Sequence, residues 1–360
     1  MTYDIAIVGA GIAGASLAAA VAPHARVLLL EAEDQAGYHA TGRSAAFWSE
    51  TYGGPGIQPL TSASEAALRD GGFLEPLGSL HIGRGRDEAR IDAFLAAFEW
   101  TSVALSRVDP AASIPGLRPE WTLGVSEPSC AYIDVAALHA SCLATVRRLG
   151  GTIRTRAGLQ AAVRTDGVWT IDTESGRERA SVLVNAAGAW ADPIAVRAGA
   201  LPIGVQPYRR TIAQIRTDPL APMTMPHVAD ISGQFYFKPE SGGRLWLSPH
   251  DETPVDPCDA APDELDVAIA IDRFEGVVDW RVAAVERRWA GLRSFAPDRL
   301  PVYGFDPKVP GFFWCAGQGG FGIQTAPAGA AVAASLLLGT ALPDGFGAVD
   351  PERYSPARFP

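Results

Sequence analysis

The N-terminal segment of the chain, residues 4–31, combines a short apolar strand, a glycine-rich turn, a helix of small residues and a second apolar strand. The turn reads GAGIAG at residues 9–14, and the second strand ends in Glu31. In a dinucleotide-binding βαβ unit the first glycine permits the tight turn, the second lets the backbone approach a pyrophosphate, and the third lets the helix pack closely on the strand. The start of the helix attracts phosphate groups, and the terminal acid accepts hydrogen bonds from ribose hydroxyls. The order of these parts therefore predicts a dinucleotide-binding α/β domain.

Length and charge limit the class of protein. A chain of 360 residues can bury the cores of two domains. Its hydrophobic fraction of 48% and charged fraction of 19% are those of an ordinary globular protein. The net charge is −10 and no basic run occurs, which argues against a nucleic acid or an anionic membrane surface as the main partner.

The four cysteines, Cys130, Cys142, Cys258 and Cys315, form no CxxC pair and show no metal-ligand spacing with histidine. This pattern favours free thiols in a reducing compartment and no metal site. The first apolar run lacks the basic flank of a signal peptide, and the longest apolar stretch near the C-terminus, residues 326–338, is too short to span a bilayer. We therefore expect a cytoplasmic protein without a transmembrane segment.

Nucleotide-type and β-rich segments alternate along the rest of the chain. Residues 134–149 show the apolar periodicity of an amphipathic helix capped by Asp134, and residues 207–247 are rich in strand-like patterns. We predict a discontinuous nucleotide-binding domain from residues 1–46, 130–204 and 289–360, and a substrate domain from residues 47–129 and 205–288. A nucleotide domain built from three separated segments is typical of flavoproteins rather than of nicotinamide-linked dehydrogenases.

The motifs that carry a family resemblance are spread over the whole chain. They are GAGIAG at 9–14, TGRSAA at 41–46, VLVNAAGAWAD at 182–192, WAGLRSF at 289–295 and GQGGFGIQTAP at 317–327. With them the chain resembles the FAD-dependent amine oxidoreductases of the D-amino-acid oxidase, glycine oxidase and sarcosine oxidase superfamily, and most of all the bacterial D-arginine dehydrogenase type. The resemblance implies an α/β fold, with a Rossmann-like FAD-binding domain of the glutathione-reductase type and an antiparallel β-rich substrate domain.

The same resemblance implies which residues hold a non-covalent FAD. The ADP half is expected on Gly9, Gly11, Gly14 and Glu31, the pyrophosphate and flavin on Thr41, Arg43, Ser44 and Ala45, and the pyrimidine edge on Gly319, Gly320, Gly322, Ile323, Gln324 and Thr325. Further expected contacts are Ile12, Ala13, Ala32, Ala46, Ala187, Gly188 and Trp190. The start of the final helix would favour negative charge on the reduced flavin.

For the substrate, the resemblance implies that Arg293 clamps a carboxylate, because a planar guanidinium suits a planar carboxylate through two parallel hydrogen bonds. Tyr236 matches a tyrosine that adds a hydroxyl donor, and Tyr52 matches a tyrosine of the active-site loop. Arg210, or the arginine before it, matches a second arginine near the substrate, and His250 is a candidate substrate contact or proton acceptor. The alternatives are an ion pair for the arginines, core packing for Tyr236 and a solvent-facing loop position for His250.

The chain departs from the D-arginine type at the substrate side chain. That type has a histidine after RSAA and a glutamate near position 79, whereas this chain has Phe47 and Ser79. Burying a cationic head group without an acidic partner costs several kcal/mol. We therefore expect cationic D-amino acids to be poor substrates, and a pocket lined by Phe47, Trp48 and Ser79 to accept a neutral, apolar or aromatic side chain.

The expected reaction is oxidative deamination of a D-amino acid by hydride transfer from Cα to flavin N5, which gives a 2-oxo acid and ammonia. The electron acceptor would be O2 or a quinone. One alternative is oxidation of an N-methyl or other secondary amino acid. Another is oxidation of a 2-hydroxy acid, which needs a base such as His250. A third is a non-catalytic flavin-binding subunit, against which the carboxylate clamp argues.

Overall fold

Two large β-sheets and a small third one make up the fold. The computed structural model describes residues 1–45 and 47–359 of the chain. Within these ranges the α-helices are α1 (Ile12–Val21), α2 (Gln58–Asp70), α3 (Glu88–Phe98), α4 (Val135–Arg148), α5 (Ala191–Arg197), α6 (Glu264–Glu275) and α7 (Ala326–Leu338). Short 3₁₀ helices occur at Gly85–Asp87, Pro110–Ala112, Gly188–Trp190, Pro351–Tyr354 and Pro356–Arg358.

The strands of the described part of the chain are β1 (Tyr3–Val8), β2 (Val27–Leu30), β3 (Phe47–Trp48), β4 (Leu74–Pro76), β5 (Ser79–Gly83), β6 (Ser106–Val108), β7 (Leu123–Glu127), β8 (Ala131–Ile133), β9 (Thr152–Arg154), β10 (Leu159–Thr165), β11 (Val168–Thr173), β12 (Gly176–Asn185), β13 (Gln206–Asp218), β14 (His227–Asp230), β15 (Tyr236–Glu240), β16 (Arg244–Ser248), β17 (Thr253–Pro254), β18 (Arg281–Phe295), β19 (Val302–Phe305), β20 (Phe312–Ala316) and β21 (Gln318–Gly319).

The first sheet has a parallel centre in the order β9-β2-β1-β12-β20. β11 pairs antiparallel with β12, β10 pairs antiparallel with β11, and β19 pairs antiparallel with β20. Successive side chains of its central strands pack alternately into two hydrophobic cores, one on each face of the sheet. Ile5 and Ile7 pack with α1 and α7 on one face, while Ala6 and Val8 face the α5 side. A parallel sheet covered on both faces is the environment in which near-continuous apolar strands are stable. The predicted Rossmann-like domain is confirmed.

The turn between β1 and α1 is a place where only glycine fits. An ideal Cβ at Gly14 would lie 1.9 Å from the carbonyl oxygen of Gly9, and one at Gly9 would lie 2.4 Å from the carbonyl oxygen of Ala186. Gly9 also has φ of +100°, in the left-handed region. The close packing of helix on strand therefore depends on these two glycines, as the sequence predicts.

The second sheet runs in the order β21-β18-β13-β16-β15-β14-β5-β7-β6, with β17 paired to β13. Its pairs are antiparallel except β5 with β14, which are parallel. One face packs against α6, where Phe237 and Leu247 contact Val267 and Phe274. Because side chains alternate along a strand, the residues between them point to the opposite face, which looks towards the first sheet.

The predicted domain boundaries remain a prediction. β18 passes through residue 289, where the nucleotide domain was expected to resume, and β21 joins the second sheet. The small sheet, in the order β3-β8-β4, links segments that were assigned to different domains.

Local helix predictions agree with the structure. The side chain of Asp134 accepts a hydrogen bond from the backbone N–H of Ala137 and caps α4, as the sequence indicates.

Over residues 1–45 and 47–359, no helix combines the length and the hydropathy needed to cross a bilayer, and no group of His, Cys, Asp and Glu side chains is arranged to hold a metal ion.

We predict that Gly14→Ala lowers the free energy of unfolding by about 2–3 kcal/mol or more, because the added methyl group meets a backbone carbonyl that cannot move alone. Gly85→Ala is the matched control, since no heavy atom lies within 4 Å of an ideal Cβ at that position. The control is expected to change stability by about 0.5 kcal/mol or less. Thermal or urea unfolding of both variants checks this, and equal effects would contradict it.

Candidate active site

A cavity of about 440 Å³ lies between the two large sheets. Of the residues predicted to hold the cofactor, those that line it are Gly9, Gly11, Ile12, Ala13, Glu31, Ala32, Thr41, Arg43, Ser44, Ala45, Ala187, Gly188, Trp190, Gly319, Gly320, Gly322, Ile323 and Gln324. Gly14 and Thr325 are absent from the cavity wall. Gly14 packs on Gly9, and the buried hydroxyl of Thr325 donates to the carbonyl of Phe321. Ala46 lies outside the described residues.

The nucleotide end of the cavity is formed by the β1–α1 turn and the end of β2. The Glu31 carboxylate accepts hydrogen bonds from the backbone N–H groups of Ala10 at 3.0 Å and Glu33 at 3.1 Å, which fix it at the cavity wall. The first turn of α1 carries no acidic side chain, so its positive dipole end is not neutralised. This end fits a dinucleotide, with the diphosphate at α1 and a ribose at Glu31.

Two of the predicted cofactor residues use their polar groups elsewhere. The Arg43 guanidinium pairs with Asp259 and donates to the Ala260 carbonyl at 2.9 Å. The Gln324 amide accepts from the N–H of Ser49 at 3.3 Å and donates to the carbonyl of Tyr52 at 3.1 Å. These side chains brace the cavity wall, and their direct contact with a cofactor stays a prediction.

At the other end, two arginines of the second sheet project into the cavity. In the antiparallel pair of β13 and β18, Tyr208 is opposite Arg293 and Arg210 is opposite Gly291. Arg210 and Arg293 are therefore diagonal neighbours on one face of the sheet. The sequence predicted both as substrate residues, and the structure brings them together.

Neither guanidinium is fully partnered. Arg210, 3% exposed, donates to the Asp251 carbonyl at 2.8 Å and to Glu252 at 3.4 Å, but its Nη1 has no partner among the described residues. Burial and the adjacent Arg293 lower the pKa of Arg210 to about 10. In the described part of the chain, no acidic side chain is within ion-pair distance of Arg293.

Tyr52 adds a third donor to this pair. Its hydroxyl is buried and has no partner among the described residues, and burial raises its pKa although the two arginines act in the opposite direction. The Arg293 guanidinium carbon lies 5.6 Å from the centre of the Tyr52 ring. An ideal Cβ at Gly320 would lie 2.5 Å from the Tyr52 hydroxyl and 3.0 Å from that guanidinium carbon, so the Gly320 backbone lies directly beside both donors.

The wall beside these donors is aromatic and apolar. Phe47 lines the cavity, with its ring centre 5.2 Å from Tyr52 and 5.9 Å from Tyr236. Ile212 projects from β13 next to Arg210. The acidic residues of the cavity wall, within the described ranges, are Glu31, Glu33 and Glu174, none of which lies on the second sheet. An anion with an apolar body fits this end.

Two residues predicted to line the substrate pocket, Trp48 and Ser79, do not line the cavity. Trp48 follows Phe47 on β3 and so points the opposite way, where it is buried and its indole N–H donates to the Thr61 carbonyl at 3.1 Å. Ser79 lies behind the wall, with its hydroxyl 2.9 Å from Nδ1 of His227. The His227 ring is tilted against the Phe47 ring, with 4.2 Å between the ring centres. The structure does not place Trp48 and Ser79 at the cavity wall, and their contact with a substrate stays a prediction.

His250 is also displaced from the cavity. Its Nδ1 is 2.6 Å from the Gly233 carbonyl, so Nδ1 carries the proton, and its ring lies edge-on behind Tyr236 at 5.8 Å. Burial and the charges of Arg210 and Arg293 lower the pKa of His250 to about 3. A histidine in this position is a poor proton acceptor, which argues against the catalytic role predicted for it.

Two residues of this region, Ile212 and Glu127, are not predicted from the sequence. Ile212 could have been found from strand alternation, since it lies two positions after Arg210. Glu127, a fully buried carboxylate under the loop that carries Tyr52, has no sequence signature that separates it from a surface glutamate.

Comparison with known proteins agrees with this geometry. The family model described as FAD dependent oxidoreductase matches residues 4–336. Human mitochondrial dimethylglycine dehydrogenase is 27% identical over 68% of this chain and 30% of its own length, and the mouse protein is 25% identical over 98% and 44%. The chain thus spans less than half the length of these curated relatives.

Two solved structures share the fold over nearly the whole chain. Glycine oxidase from Geobacillus kaustophilus has a TM-score of 0.81 at 23% identity and covers 94% of this chain and 95% of its own. L-proline dehydrogenase from P. horikoshii has a TM-score of 0.84 at 19% identity, covering 99% and 97%. At these identities the likeness establishes the fold alone.

We predict that the affinity for an anion such as benzoate is constant from pH 7 to 9 and weakens above pH 10. The protonated guanidinium binds the anion, and the pKa of Arg210 is about 10, so the dissociation constant rises as pH passes through that value, by about tenfold per pH unit. Isothermal titration calorimetry at each pH measures it. Tyr52→Phe should keep this alkaline loss and Arg210→Gln should abolish it. An alkaline loss that persists in Arg210→Gln would contradict the prediction.

Proposed function

The chain belongs to the family of FAD-dependent oxidoreductases, and on that premise we propose that it oxidises an amino acid with a neutral side chain, in the D configuration, to a 2-oxo acid and ammonia. FAD, when bound, accepts the hydride that leaves the α-carbon of the substrate. The imine that results is hydrolysed by water.

The observation that carries the proposal is the pair of buried, unpartnered donors at Nη1 of Arg210 and the Tyr52 hydroxyl, beside the Arg293 guanidinium. Leaving a buried donor unsatisfied costs about 1–3 kcal/mol, and more for a charged group. A carboxylate has two oxygens with lone pairs in one plane, so it can accept from two guanidinium groups and a hydroxyl at once. Binding it there would fix the position of the α-carbon, which is the main contribution of such a clamp to rate.

The lining of the cavity supports a neutral side chain. A cationic head group would lie near Arg210 and Arg293 without an acidic side chain of the second sheet to pair with it. Such a charge is repelled by both arginines and loses its hydration. Phe47 and Ile212 instead offer apolar surface that gains free energy on contact with an apolar or aromatic group.

The arginines also help the amine to react. A hydride leaves the α-carbon only when the amine nitrogen has a free lone pair, so the ammonium form must first lose a proton. Two positive charges next to the bound carboxylate favour the neutral amine over the ammonium. With His250 behind Tyr236, no strong base lines this end in the described part of the chain, and the proton leaves to solvent.

We infer that FAD is held without a covalent link. Cys315, just before the turn at residues 317–325, is 2% exposed and lies in the core of the first sheet. Burial raises the pKa of its thiol to about 12, which disfavours the thiolate needed for attack on the flavin. It is not among the residues that line the cavity.

Oxidation of an N-methyl or other secondary amino acid is the second candidate. It is supported by the names of relatives, which include dimethylglycine dehydrogenase and sarcosine dehydrogenase. A 2-hydroxy acid has less support, because its hydroxyl proton needs a base and the pKa of His250 is about 3. The unpartnered donors argue against a non-catalytic subunit, which has no use for a carboxylate site.

The test is anaerobic reduction of the FAD-loaded protein by a panel of D-phenylalanine, L-phenylalanine, D-methionine, D-arginine, sarcosine, dimethylglycine and D-lactate, followed by flavin absorbance. We predict fast bleaching by D-phenylalanine and D-methionine. D-arginine should be slower by about 100-fold or more, which corresponds to an unpaired buried charge of about 3 kcal/mol. Admitting air after bleaching tells whether O2 reoxidises the flavin or a quinone is needed.

The other outcomes of the panel each overturn a part of the proposal. A preference for D-arginine contradicts the neutral side chain, and a preference for L-phenylalanine contradicts the D configuration. Bleaching by sarcosine or dimethylglycine alone selects the second candidate. Bleaching by no compound of the panel contradicts an amino-acid oxidoreductase.

A further inference from the structure

The turn at residues 49–52, which joins β3 to α2, is anchored to a buried carboxylate that takes no part in lining the cavity. Glu127 is the last residue of β7 and is 0% exposed. It is hydrogen-bonded to the turn and is not among the residues that line the cavity. What this carboxylate does follows from its contacts.

Glu127 accepts four hydrogen bonds from three consecutive residues of the turn. Its Oε1 accepts from the backbone N–H of Glu50 at 2.7 Å and of Thr51 at 3.4 Å. Its Oε2 accepts from the hydroxyl of Thr51 at 2.6 Å and of Ser49 at 2.9 Å. A buried carboxylate is costly unless it is hydrogen-bonded. Apart from Nε2 of His81, which lies 3.4 Å from Oε2, the partners of Glu127 are backbone and hydroxyl groups of this one turn.

Gln324, which lines the cavity, is also hydrogen-bonded to this turn. Its amide accepts from the N–H of Ser49 at 3.3 Å and donates to the carbonyl of Tyr52 at 3.1 Å. The next residues, Gly53 and Gly54, have φ of +98° and +76°, so the chain turns away immediately after Tyr52. The backbone position of Tyr52 is therefore set by Glu127 on one side and Gln324 on the other.

We propose that Glu127 is a positioning residue for substrate recognition, which acts by holding the Tyr52 hydroxyl beside Arg293. The inference rests on the proposed function, in which that hydroxyl donates to the substrate carboxylate. A shift of the turn moves the hydroxyl away from the carboxylate oxygen, and hydrogen bonds weaken steeply with distance and angle. Glu127 itself does not touch the substrate.

The test is a double-mutant cycle of Glu127→Gln and Tyr52→Phe, with the dissociation constant of benzoate measured from the flavin absorbance change of the FAD-loaded protein. Glu127→Gln keeps the shape of the side chain but replaces one accepting oxygen by a donating NH2. We expect Tyr52→Phe to weaken benzoate binding by about tenfold and Glu127→Gln by about three- to tenfold. The double variant should equal Tyr52→Phe alone, because Glu127 acts only through the hydroxyl that is missing.

A matched control and a second variant accompany the cycle. Asp306 also holds a loop, since its carboxylate accepts from the N–H groups of Lys308 and Val309, both at 2.8 Å, and it is outside the cavity wall. Asp306→Asn should leave benzoate binding unchanged. If Glu127→Gln does not fold, Thr51→Val takes its place in the cycle, because it removes the 2.6 Å hydrogen bond from the other partner.

The outcomes separate the two claims. If the wild-type protein binds benzoate and Glu127→Gln binds it with the same dissociation constant, the inference is overturned and the proposed function is not. The inference is also overturned if Glu127→Gln weakens benzoate binding by the same factor in the wild-type and Tyr52→Phe backgrounds. Glu127 would then affect binding independently of the Tyr52 hydroxyl. A wild-type protein that binds no benzoate overturns the proposed function, and the inference with it.

Discussion

Two arginine side chains that lie side by side in a buried cavity, with too little negative charge around them, are the constraint on which the substrate end of the molecule depends. Arg210 has part of its charge offset by Asp251 and Glu252, yet burial and Arg293 still lower its pKa to about 10. Like charges this close raise the energy of the empty site, and an anion that fits between them removes that cost. Affinity and selectivity for a carboxylate therefore follow from the same feature.

The two arginines reach the cavity because side chains alternate between the two faces of the second sheet. On β13, β15 and β16 one set of side chains forms the core with α6, and the other set, which includes Arg210, Ile212 and Tyr236, faces the first sheet. The first sheet contributes the glycine turn and the start of α1. The loops at residues 49–52 and 319–320 close the space between them, where the Gly320 backbone reaches Tyr52 and Arg293.

Local patterns predicted much of this, and cross-sheet relations did not. GAGIAG, the cap of α4 and the pairing of Arg293 with a second arginine are encoded in short stretches or in family motifs. The side on which each residue of a two-residue strand lies is not encoded in this way. The sequence therefore could not show which of Phe47 and Trp48 faces the cavity. The position of His250 behind Tyr236 and of Glu127 under the Tyr52 turn depends on packing between strands far apart in sequence. A single sequence carries no record of such contacts.

The most direct measurement is a crystal structure of the FAD-loaded protein with benzoate bound. The predicted result is a carboxylate whose oxygens accept hydrogen bonds, at about 2.7–3.1 Å, from Arg293, from Nη1 of Arg210 and from the Tyr52 hydroxyl. The benzoate ring should contact Phe47 and Ile212. A carboxylate site formed by these two arginines would be contradicted if benzoate bound elsewhere. It would also be contradicted if benzoate occupied the cavity while Arg210 and Arg293 contacted only water.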